Sequence, residues 1–427
     1  MPDTATLGRL RTAVEAGWDR QLAFYAELVR HPSIRGAEAG VQDFIAGELR
    51  TRGYEVDRYT LAEVEMSHLQ GFSPVMDTDY GNNVQVVATR RGAEGGRSLI
   101  LQGHVDVVPA GPEALWSTPP FTPTVRDGWM HGRGAGDMKQ GVSAIVFAMD
   151  ALRAAGLRPA GDIILQTVTE EECTGNGALS TLARGYRADA VLITEPTAGT
   201  ITRAHVGVMW FRLKVRGIPV HVAQAQSGSN AIMSAFALIQ ALQAHTAKLN
   251  EAAKSDPWFG GIADPLKFNP GIIRGGDWAS STPAWCEVDC RIGLLPGSSL
   301  EDARTAVLDC VAAAARTDGF LANNPPEVEW NGFQADGYVL DPGSEAERVL
   351  GEAHRAVFGA PMEERRSTAV NDTRFYGLYH RMPALCYGPK GENHHGFDER
   401  GHLETLKQTT LCVAAFITDW CGVIESE

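Results

Sequence analysis

Hydrophobic and polar residues follow two patterns along the chain. In the first half, short runs made almost wholly of apolar residues alternate with helical stretches. The runs at 98–103, 162–168 and 190–194 predict strands that are buried on both faces, and 140–155 predicts a helix between the first two. Apolar strands separated by helices are typical of an α/β sheet covered on both faces. Further helices are predicted at 6–30, 41–52, 178–184, 344–358 and 403–420.

The pattern changes near residue 207. In the stretch 211–216, apolar residues alternate with arginine and lysine, which predicts a strand with one face in solvent. The next predicted elements are a helix at 230–249, a strand at 285–294 and a helix at 299–315. After residue 332 the α/β pattern returns. We therefore predict an α/β domain formed by 1–206 and 333–427, interrupted by a small α+β domain at 207–332.

Composition and charge narrow the function classes. The chain has 427 residues, of which 44% are hydrophobic and 21% charged, as is ordinary for a globular protein of two domains. Its net charge of −14 argues against binding to nucleic acid or to an anionic membrane surface. The charged N-terminal segment does not resemble a signal peptide, and the odd count of seven cysteines contains no CxxC pair. We expect a cytoplasmic protein.

Several side chains that can bind metal ions or transfer protons follow the predicted buried strands. His104 and Asp106 come directly after the first of them, and Glu195 follows the third. Asp137 stands in a glycine-rich segment before a helix, where an N-cap is an equally good explanation. Taken singly, each of these residues is also explained by an ordinary turn, cap or surface position.

Three adjacent glutamates, Glu170 to Glu172, close the strand at 162–168. Like charges this close repel one another and are costly to desolvate. The segment is therefore either a solvated acidic turn or part of a site that holds cations. His394 and His395 lie in a turn-rich loop late in the chain, where a single histidine would be unremarkable.

The combination of these residues is more informative than any one of them. His104, Asp137, the glutamates and Glu195 are all predicted at the carboxyl ends of apolar strands in one sheet. Open α/β sheets bind ligands at that edge. Carboxylates and histidines gathered there would repel one another without cations, and such ligands suit zinc. Two metals that share a bridging carboxylate suit hydrolysis.

With these residues in place, the chain resembles the M20 family of metallohydrolases. That family includes acetylornithine deacetylase, succinyl-diaminopimelate desuccinylase, aminoacylases and glutamate carboxypeptidases. The similar segments are G-H-V-D-V-V-P at 103–109, G-R-G-A-G-D-M-K-Q-G at 132–141, T-E-E-E at 169–172, T-E-P-T at 194–197, R-G-I-P-V-H at 216–221, N-D-T-R-F at 371–375 and H-H-G-F-D-E at 394–399. The resemblance implies a zinc-exopeptidase-like α/β/α catalytic domain with an inserted ferredoxin-like lid and dimerisation domain.

The resemblance also implies a set of metal ligands. His104 and Glu195 would bind one zinc ion, and Glu172 and His395 would bind a second. Asp137 would bridge the two. His395 is preferred over its neighbour because the family spacing is His-x-x-(Asn/Asp)-Glu, which the chain matches from position 395 to 399.

Two further acids would act beside these ligands. Asp106 would orient His104. Glu171 would take a proton from the metal-bridging water, so that hydroxide attacks an amide carbonyl, and would pass the proton to the leaving amine. Glu170 stands where the family usually has aspartate. Because adjacent residues of a strand point in opposite directions, we predict that the chain leaves strand geometry where Glu171 and Glu172 face the metals.

The inserted domain and its neighbours would supply substrate contacts in the same comparison. His221 would reach the active site of a partner subunit and stabilise the developing oxyanion. Arg291 would bind the substrate carboxylate through its bidentate fork. Lys139, Asn230 and Arg374 are further candidates for contact with the substrate.

Together, the candidate site residues and the resemblance to the M20 family imply a di-zinc amidohydrolase that acts as a homodimer joined through its lid domains. It would remove an acetyl, succinyl or formyl group from an amino-acid-like or small amine substrate, and cobalt or manganese could replace zinc. A metallo-exopeptidase or dipeptidase on the same scaffold is the alternative. A non-catalytic homologue that binds metal or ligand is an alternative of another class, against which the intact ligand set and Glu171 argue.

Overall fold

The secondary structure is taken from a computed structural model that describes residues 3–93 and 95–426. Its α-helices are α1 (Thr4–Arg30), α2 (Ala39–Thr51), α3 (Gln140–Ala154), α4 (Asn176–Ala183), α5 (Ala231–Ala253), α6 (Leu300–Ala315), α7 (Glu345–Phe358) and α8 (Leu403–Cys421). Its strands are β1 (Glu55–Thr60), β2 (Val84–Arg90), β3 (Leu99–His104), β4 (Thr124–Arg126), β5 (Trp129–His131), β6 (Leu157–Pro159), β7 (Ile163–Val168), β8 (Ala190–Ile193), β9 (Ile201–His205), β10 (Gly207–Arg216), β11 (Phe268–Gly275), β12 (Trp285–Leu294), β13 (Glu327–Ala335), β14 (Tyr338–Val339), β15 (Glu364–Ser367), β16 (Ala384–Cys386), β17 (Gly391–Glu392), β18 (Arg400–His402) and β19 (Val423–Glu425).

A six-stranded sheet in the order β1-β2-β7-β3-β8-β16 forms the centre of the molecule. The four strands β7, β3, β8 and β16 are parallel, whereas β1 and β2 join antiparallel at one edge. Every residue of β3, β7 and β8 is buried, as their uniformly apolar sequences predict. Helix α3 packs against α1 and α8, while α2 packs on β1 and β2 and α4 packs on β7. The predicted α/β sheet with helical layers is confirmed.

A second, antiparallel sheet in the order β11-β12-β10-β13 has its own hydrophobic core. In β10, Phe211 and Leu213 are buried beneath α5, while the alternating residues Arg212 and Lys214 form ion pairs on the other face. The alternation in the sequence thus correctly predicts a sheet with one polar face. Strand β13 continues past the predicted boundary at residue 332, and the division into domains at 206/207 and 332/333 stays a prediction.

The remaining strands form small sheets around the central one. They have the orders β14-β9-β15, β17-β18-β5-β4 and β19-β6. Strand β15 pairs in parallel with β9 and leads into the loop at 368–372 beside the central sheet. Within 3–93 and 95–426, no helix combines the length and apolarity that a bilayer span requires.

Candidate active site

The candidate site lies where three neighbouring parallel strands end. Strand β3 ends at His104, β7 ends two residues before Glu170, and β8 ends two residues before Glu195. Because these strands are adjacent and parallel, their carboxyl ends meet at one edge of the sheet. The prediction that all of these residues follow strands of one sheet is wrong for Asp137, which does not follow a strand of this sheet. It lies in an irregular helical turn, Ala135–Lys139, that enters α3.

His104 is held in one orientation by the residue two positions further along. Its Nδ1 lies 3.0 Å from the backbone oxygen of Asp106 and 3.4 Å from the Asp106 carboxylate. Donation from Nδ1 to the backbone oxygen leaves the Nε2 lone pair available to a ligand. The side chain is 1% exposed, and Nε2 faces Asp137 Oδ1 at 3.1 Å. Asp106 therefore lies where an orienting group is expected.

Asp137 stands between two clusters of side chains, of which the first is His104 with Glu195 and the second is Glu172 with His395. Its Oδ1 faces His104, and its Oδ2 lies 3.9 Å from Nε2 of His395. On the first side, Nε2 of His104 is 3.9 Å from Glu195 Oε2. On the second side, Nε2 of His395 is 3.0 Å from Glu172 Oε2. The structure thus brings together the five residues expected to bind metal, paired as the resemblance to the M20 family implies, and their binding of metal stays a prediction.

The three adjacent glutamates separate in direction because the strand stops before them. Strand β7 ends at Val168, and Glu170 has a φ of +68° at the start of a turn. Glu171 then faces His104, with 3.9 Å between Oε2 and Nε2, while Glu172 faces the second cluster. The predicted departure from strand geometry is confirmed.

Glu170 points away from the cluster into an ion pair that the sequence did not suggest. Its carboxylate, fully buried, accepts hydrogen bonds from Arg35 Nε at 2.6 Å and Nη2 at 2.9 Å. The hydroxyls of Tyr80 and Thr174 each donate to the same carboxylate at 3.0 Å. One of the three like charges is therefore paired within the chain, and only Glu171 and Glu172 face the two clusters.

Replacing Arg35 by methionine is expected to lower the free energy of unfolding by about 3 kcal/mol, because Glu170 would remain buried without its counter-charge. Arg30→Met is the matched control, since Arg30 forms its 2.7 Å ion pair with Glu27 on the surface. Urea unfolding of the metal-free proteins gives the free energy of unfolding of both variants and of the wild type. The double variant Arg35→Met, Glu170→Gln should recover part of the loss. A loss no larger than that of the control would contradict a supporting role for this pair.

Glu399 was missed as a functional residue although its signal was present. The family spacing that selects His395 ends on this glutamate. It is buried and accepts hydrogen bonds from the backbone N–H groups of Gly136 and Asp137, both at 2.9 Å, and from Arg133 Nη1 at 2.6 Å. Glu399 therefore fixes the turn that carries Asp137 between the two clusters.

Burial disfavours the charged forms of three acids in the cluster. It raises the pKa of Glu171 and of Glu195 well above the ordinary carboxyl range, and it also raises the pKa of Glu172. The hydrogen bond to Glu172 raises the pKa of His395 to about 9. Buried acids in this number favour their neutral forms unless positive charge stands beside them. A divalent cation supplies such charge.

The side chains fit divalent cations. The ligand atoms of His104, Glu171 and Glu195 lie within 4.8 Å of one another, as do those of His104, Asp137 and Glu172. Oε1 of Glu195 is buried without a hydrogen-bond partner among the described residues. A buried oxygen without a partner is costly, and coordination removes that cost. Carboxylates and imidazoles without thiolate suit zinc, manganese or cobalt.

A cavity of about 580 Å³ joins the cluster to the sheet formed by β10 to β13. Arg291 lines it, as expected for a substrate contact. Lys139 and Arg374, by contrast, are fully buried outside its lining. Nζ of Lys139 donates to the His31 oxygen at 2.8 Å, and Nη2 of Arg374 donates to the Thr174 oxygen at 3.0 Å. Both side chains thus take internal partners rather than facing the cavity, and their role as substrate contacts stays a prediction.

Two other predicted contacts lie on the lid, away from the cavity of their own chain. Asn230 is the N-cap of α5 and accepts hydrogen bonds from the N–H groups of Ile232 and Met233, each at 3.1 Å. His221 is exposed, and its Nδ1 accepts from the N–H of Ala223 at 3.1 Å. Neither residue lines the cavity. Their roles toward a partner subunit stay predictions.

Similarity to known proteins extends over most of the chain. The family described as Peptidase family M20/M25/M40 matches residues 100–419. The chain is 31% identical over 363 residues to the N-formyl-4-amino-5-aminomethyl-2-methylpyrimidine deformylase of Halalkalibacterium halodurans, which spans 80% of this chain and 84% of that protein. It is 30% identical over 304 residues to the succinyl-diaminopimelate desuccinylase of Paracidovorax citrulli, with 67% of this chain and 72% of that protein covered.

Solved structures share the architecture at lower identity. The di-peptidase Dug1p from Saccharomyces cerevisiae superposes with a TM-score of 0.78 over 97% of this chain and 98% of its own. The sequence identity is 16%, so the likeness concerns the fold alone.

Proposed function

This chain belongs to peptidase family M20/M25/M40, and from that premise we propose that the cluster around Asp137 is the active site of a metal-dependent hydrolase of N-acyl amide bonds. The observation that carries the proposal is the position of Asp137, whose two oxygens face His104 on one side and His395 on the other. Glu171 stands beside this pair without belonging to either predicted ligand set. A binding protein would have no need of an additional buried acid there.

The two clusters would hold two cations, with zinc as the proposed metal. His104 and Glu195 would bind the first, Glu172 and His395 the second, and Asp137 both. When bound, such cations polarise a carbonyl oxygen and lower the pKa of water. The identity and number of the metals are part of the proposal.

The side chains divide the remaining work of amide hydrolysis. Glu171 accepts a proton from the attacking water and returns it to the leaving amine, so that one amide and one water give one acid and one amine. Asp106 keeps His104 in a single orientation. The side chain of Glu171 is 9% exposed, so bulk water has limited access to it.

The proposed substrates are small N-acylated amines or amino acids. The relatives named above act on a formyl and a succinyl compound, which supports an acyl group of this size. The test is the release of primary amine from N-formyl, N-acetyl and N-succinyl amino acids and from dipeptides, after the metal-free protein is reloaded with zinc, cobalt or manganese. Turnover of acylated amino acids above dipeptides supports the proposal. Faster cleavage of dipeptides would favour an exopeptidase, and no turnover with any metal would favour a binding protein.

We also propose a homodimer that forms through the lid. Large apolar side chains are exposed there on neighbouring elements, at Met233 and Phe236 of α5 and at Ile272 and Ile273 of β11. Strand β11 is an edge strand, so its free backbone groups can pair with a second copy. A cytoplasmic location is proposed too, and the seven free cysteines support a reducing compartment.

If the lid of one subunit serves the other, two inactive variants should restore activity together. His221→Ala is expected to lower kcat by about 10²-fold through loss of an oxyanion contact. A heterodimer of His221→Ala with Glu171→Gln, isolated by two affinity tags, has one complete site and should regain about half the wild-type activity. The matched homodimers carrying the same tags are the controls. A heterodimer as inactive as the controls would show that His221 does not act across the interface.

A further inference from the structure

Four arginines line the cavity beside the proposed active site, and they fall into two classes. Arg35 and Arg212 are held by carboxylates, at 2.6 Å from Glu170 and 2.6 Å from Asp289 respectively. Arg291 and Arg365 have no carboxylate within ion-pair distance among the described residues.

Arg365 faces the cavity. It lies on the short strand β15, whose pairing with β9 shifts register between Arg365 and Arg366. Arg365 and Ser367 line the cavity. Glu364 forms an ion pair on the other face, and Arg366 lies over the ring of Trp258. The partners of its two neighbours thus lie outside the cavity, while Arg365 itself lines it.

The hydrogen bonds of both unpaired guanidinium groups go to backbone oxygens. Nη1 of Arg365 donates to the oxygen of Pro196 at 3.4 Å. Pro196 directly follows Glu195 of the first cluster. Nη2 of Arg291 donates to the oxygen of Thr368 at 3.3 Å. Nη1 of Arg291 also donates to the oxygen of Lys267 at 3.5 Å. All three contacts are long, and they leave most of the N–H donors of each guanidinium group unused. Thr368 follows Arg365 by three residues, roughly 10 Å along an extended chain.

Two partly buried cations in one cavity indicate a substrate with two anionic groups. We propose that Arg365 is a specificity-determining residue that binds a carboxylate at the end of the acyl chain, while Arg291 binds the carboxylate of the amino-acid part. The preferred substrate class is then the N-acyl amino acid whose acyl group is itself a dicarboxylic acid joined by one amide. This inference rests on the proposed function, since it names the substrate of the same site.

The physical reason for selectivity is the desolvation of the guanidinium groups of Arg291 and Arg365. An arginine enclosed by bound substrate without an anionic partner is costly, whereas a bidentate carboxylate satisfies it. A neutral acyl chain of the same length leaves Arg365 unpaired. The expected preference for a succinyl over a butanoyl group is about 10–100-fold in kcat/KM, as for a charge-assisted hydrogen bond.

The test compares N-succinyl, N-butanoyl and N-formyl derivatives of one amino acid with wild-type enzyme, Arg365→Gln and Arg365→Lys. Arg365→Gln should lower kcat/KM for the succinyl substrate about 10–100-fold, mainly through KM, and leave the butanoyl substrate nearly unchanged. Arg365→Lys keeps the charge and should retain part of the preference. Arg212→Gln is the matched control in the same cavity, because its guanidinium already has Asp289 as partner, and it should leave the ratio of the two substrates unaltered.

Calorimetric binding of free succinate and butanoate to the same metal-loaded proteins gives a readout that does not need turnover. Wild type should bind succinate at least 10-fold more tightly than butanoate, and Arg365→Gln should lose that difference. Equal losses on both substrates, or a wild-type preference for the formyl or butanoyl compound, would overturn the inference while leaving amide hydrolysis intact. If no substrate is hydrolysed, the proposed function fails, and the binding of succinate alone decides the role of Arg365.

Discussion

Replacing Glu171 by glutamine is expected to lower kcat by about 10²–10⁴-fold while the bound metal is retained. Glutamine has the size of glutamate but cannot accept a proton from the attacking water. The side chain of Glu171 is 9% exposed and lies 3.9 Å from Nε2 of His104, the same distance as the predicted ligand Glu195, so it is within reach of the attacking water. Metal analysis and steady-state kinetics on the same preparation make the measurement.

The metal analysis matters because geometry alone admits two roles for this residue. Glu171 also belongs to a group, with His104 and Glu195, whose ligand atoms lie within 4.8 Å of one another. Replacing a metal ligand would reduce the metal content of the protein, whereas replacing a residue that only carries a proton would not. Glu172→Gln is the matched control, since it should lose metal and activity together. A Glu171→Gln variant with full metal content and activity near wild type would contradict the role of Glu171 as proton carrier. Loss of metal together with activity would instead show that Glu171 is a metal ligand.

Removing the cations with a chelator is expected to abolish amide hydrolysis and to loosen the turn at 171–174 before the rest of the core. Without cations, the two histidines are the remaining positive groups beside the four acids Asp137, Glu171, Glu172 and Glu195, and the repulsion among these carboxylates is the cause. Glu170 should stay in place because Arg35 holds it. Hydrogen exchange read by mass spectrometry makes the comparison between metal-loaded and metal-free protein.

Particular amide groups report that loosening. The N–H of Glu172 donates to the Asp106 carboxylate at 3.1 Å, and the N–H of Thr174 donates to the Glu170 oxygen at 2.9 Å. Both should exchange faster after chelation. Peptides from α8, which is buried along most of its length, are the internal control. Faster exchange spread evenly over the protein, or none at the turn, would contradict the idea that cations balance this segment.

The sequence predicted the parts of the site that rest on strong local patterns. Strands β3, β7 and β8 are uniformly apolar, so their ends located His104, the glutamates and Glu195 correctly. His395 was distinguished from His394 by its spacing from Glu399, and the structure places it 3.0 Å from Glu172. Asp137 was assigned to the right site but to the wrong kind of element, because a glycine-rich turn carries no strand signal.

Other features depend on pairing between distant segments, which a single sequence does not reveal. Arg35 and Glu170 are separated by 135 residues, and nothing near Arg35 marks it as the partner of a buried acid. Lys139 and Arg374 lie inside motif segments but point into the protein, since a motif gives the position of a charged residue and not its direction. Arg365 was overlooked because a strand of four residues is too short for its alternation to be recognised.

The most direct test of the central claim is a crystal structure of the zinc-loaded protein with anomalous scattering recorded on both sides of the zinc absorption edge. The account predicts two peaks per subunit, one bound by His104 and Glu195 and one by Glu172 and His395, with an oxygen of Asp137 on each. Glu171 should coordinate neither ion. A single peak, or two peaks that Asp137 does not bridge, would contradict the account.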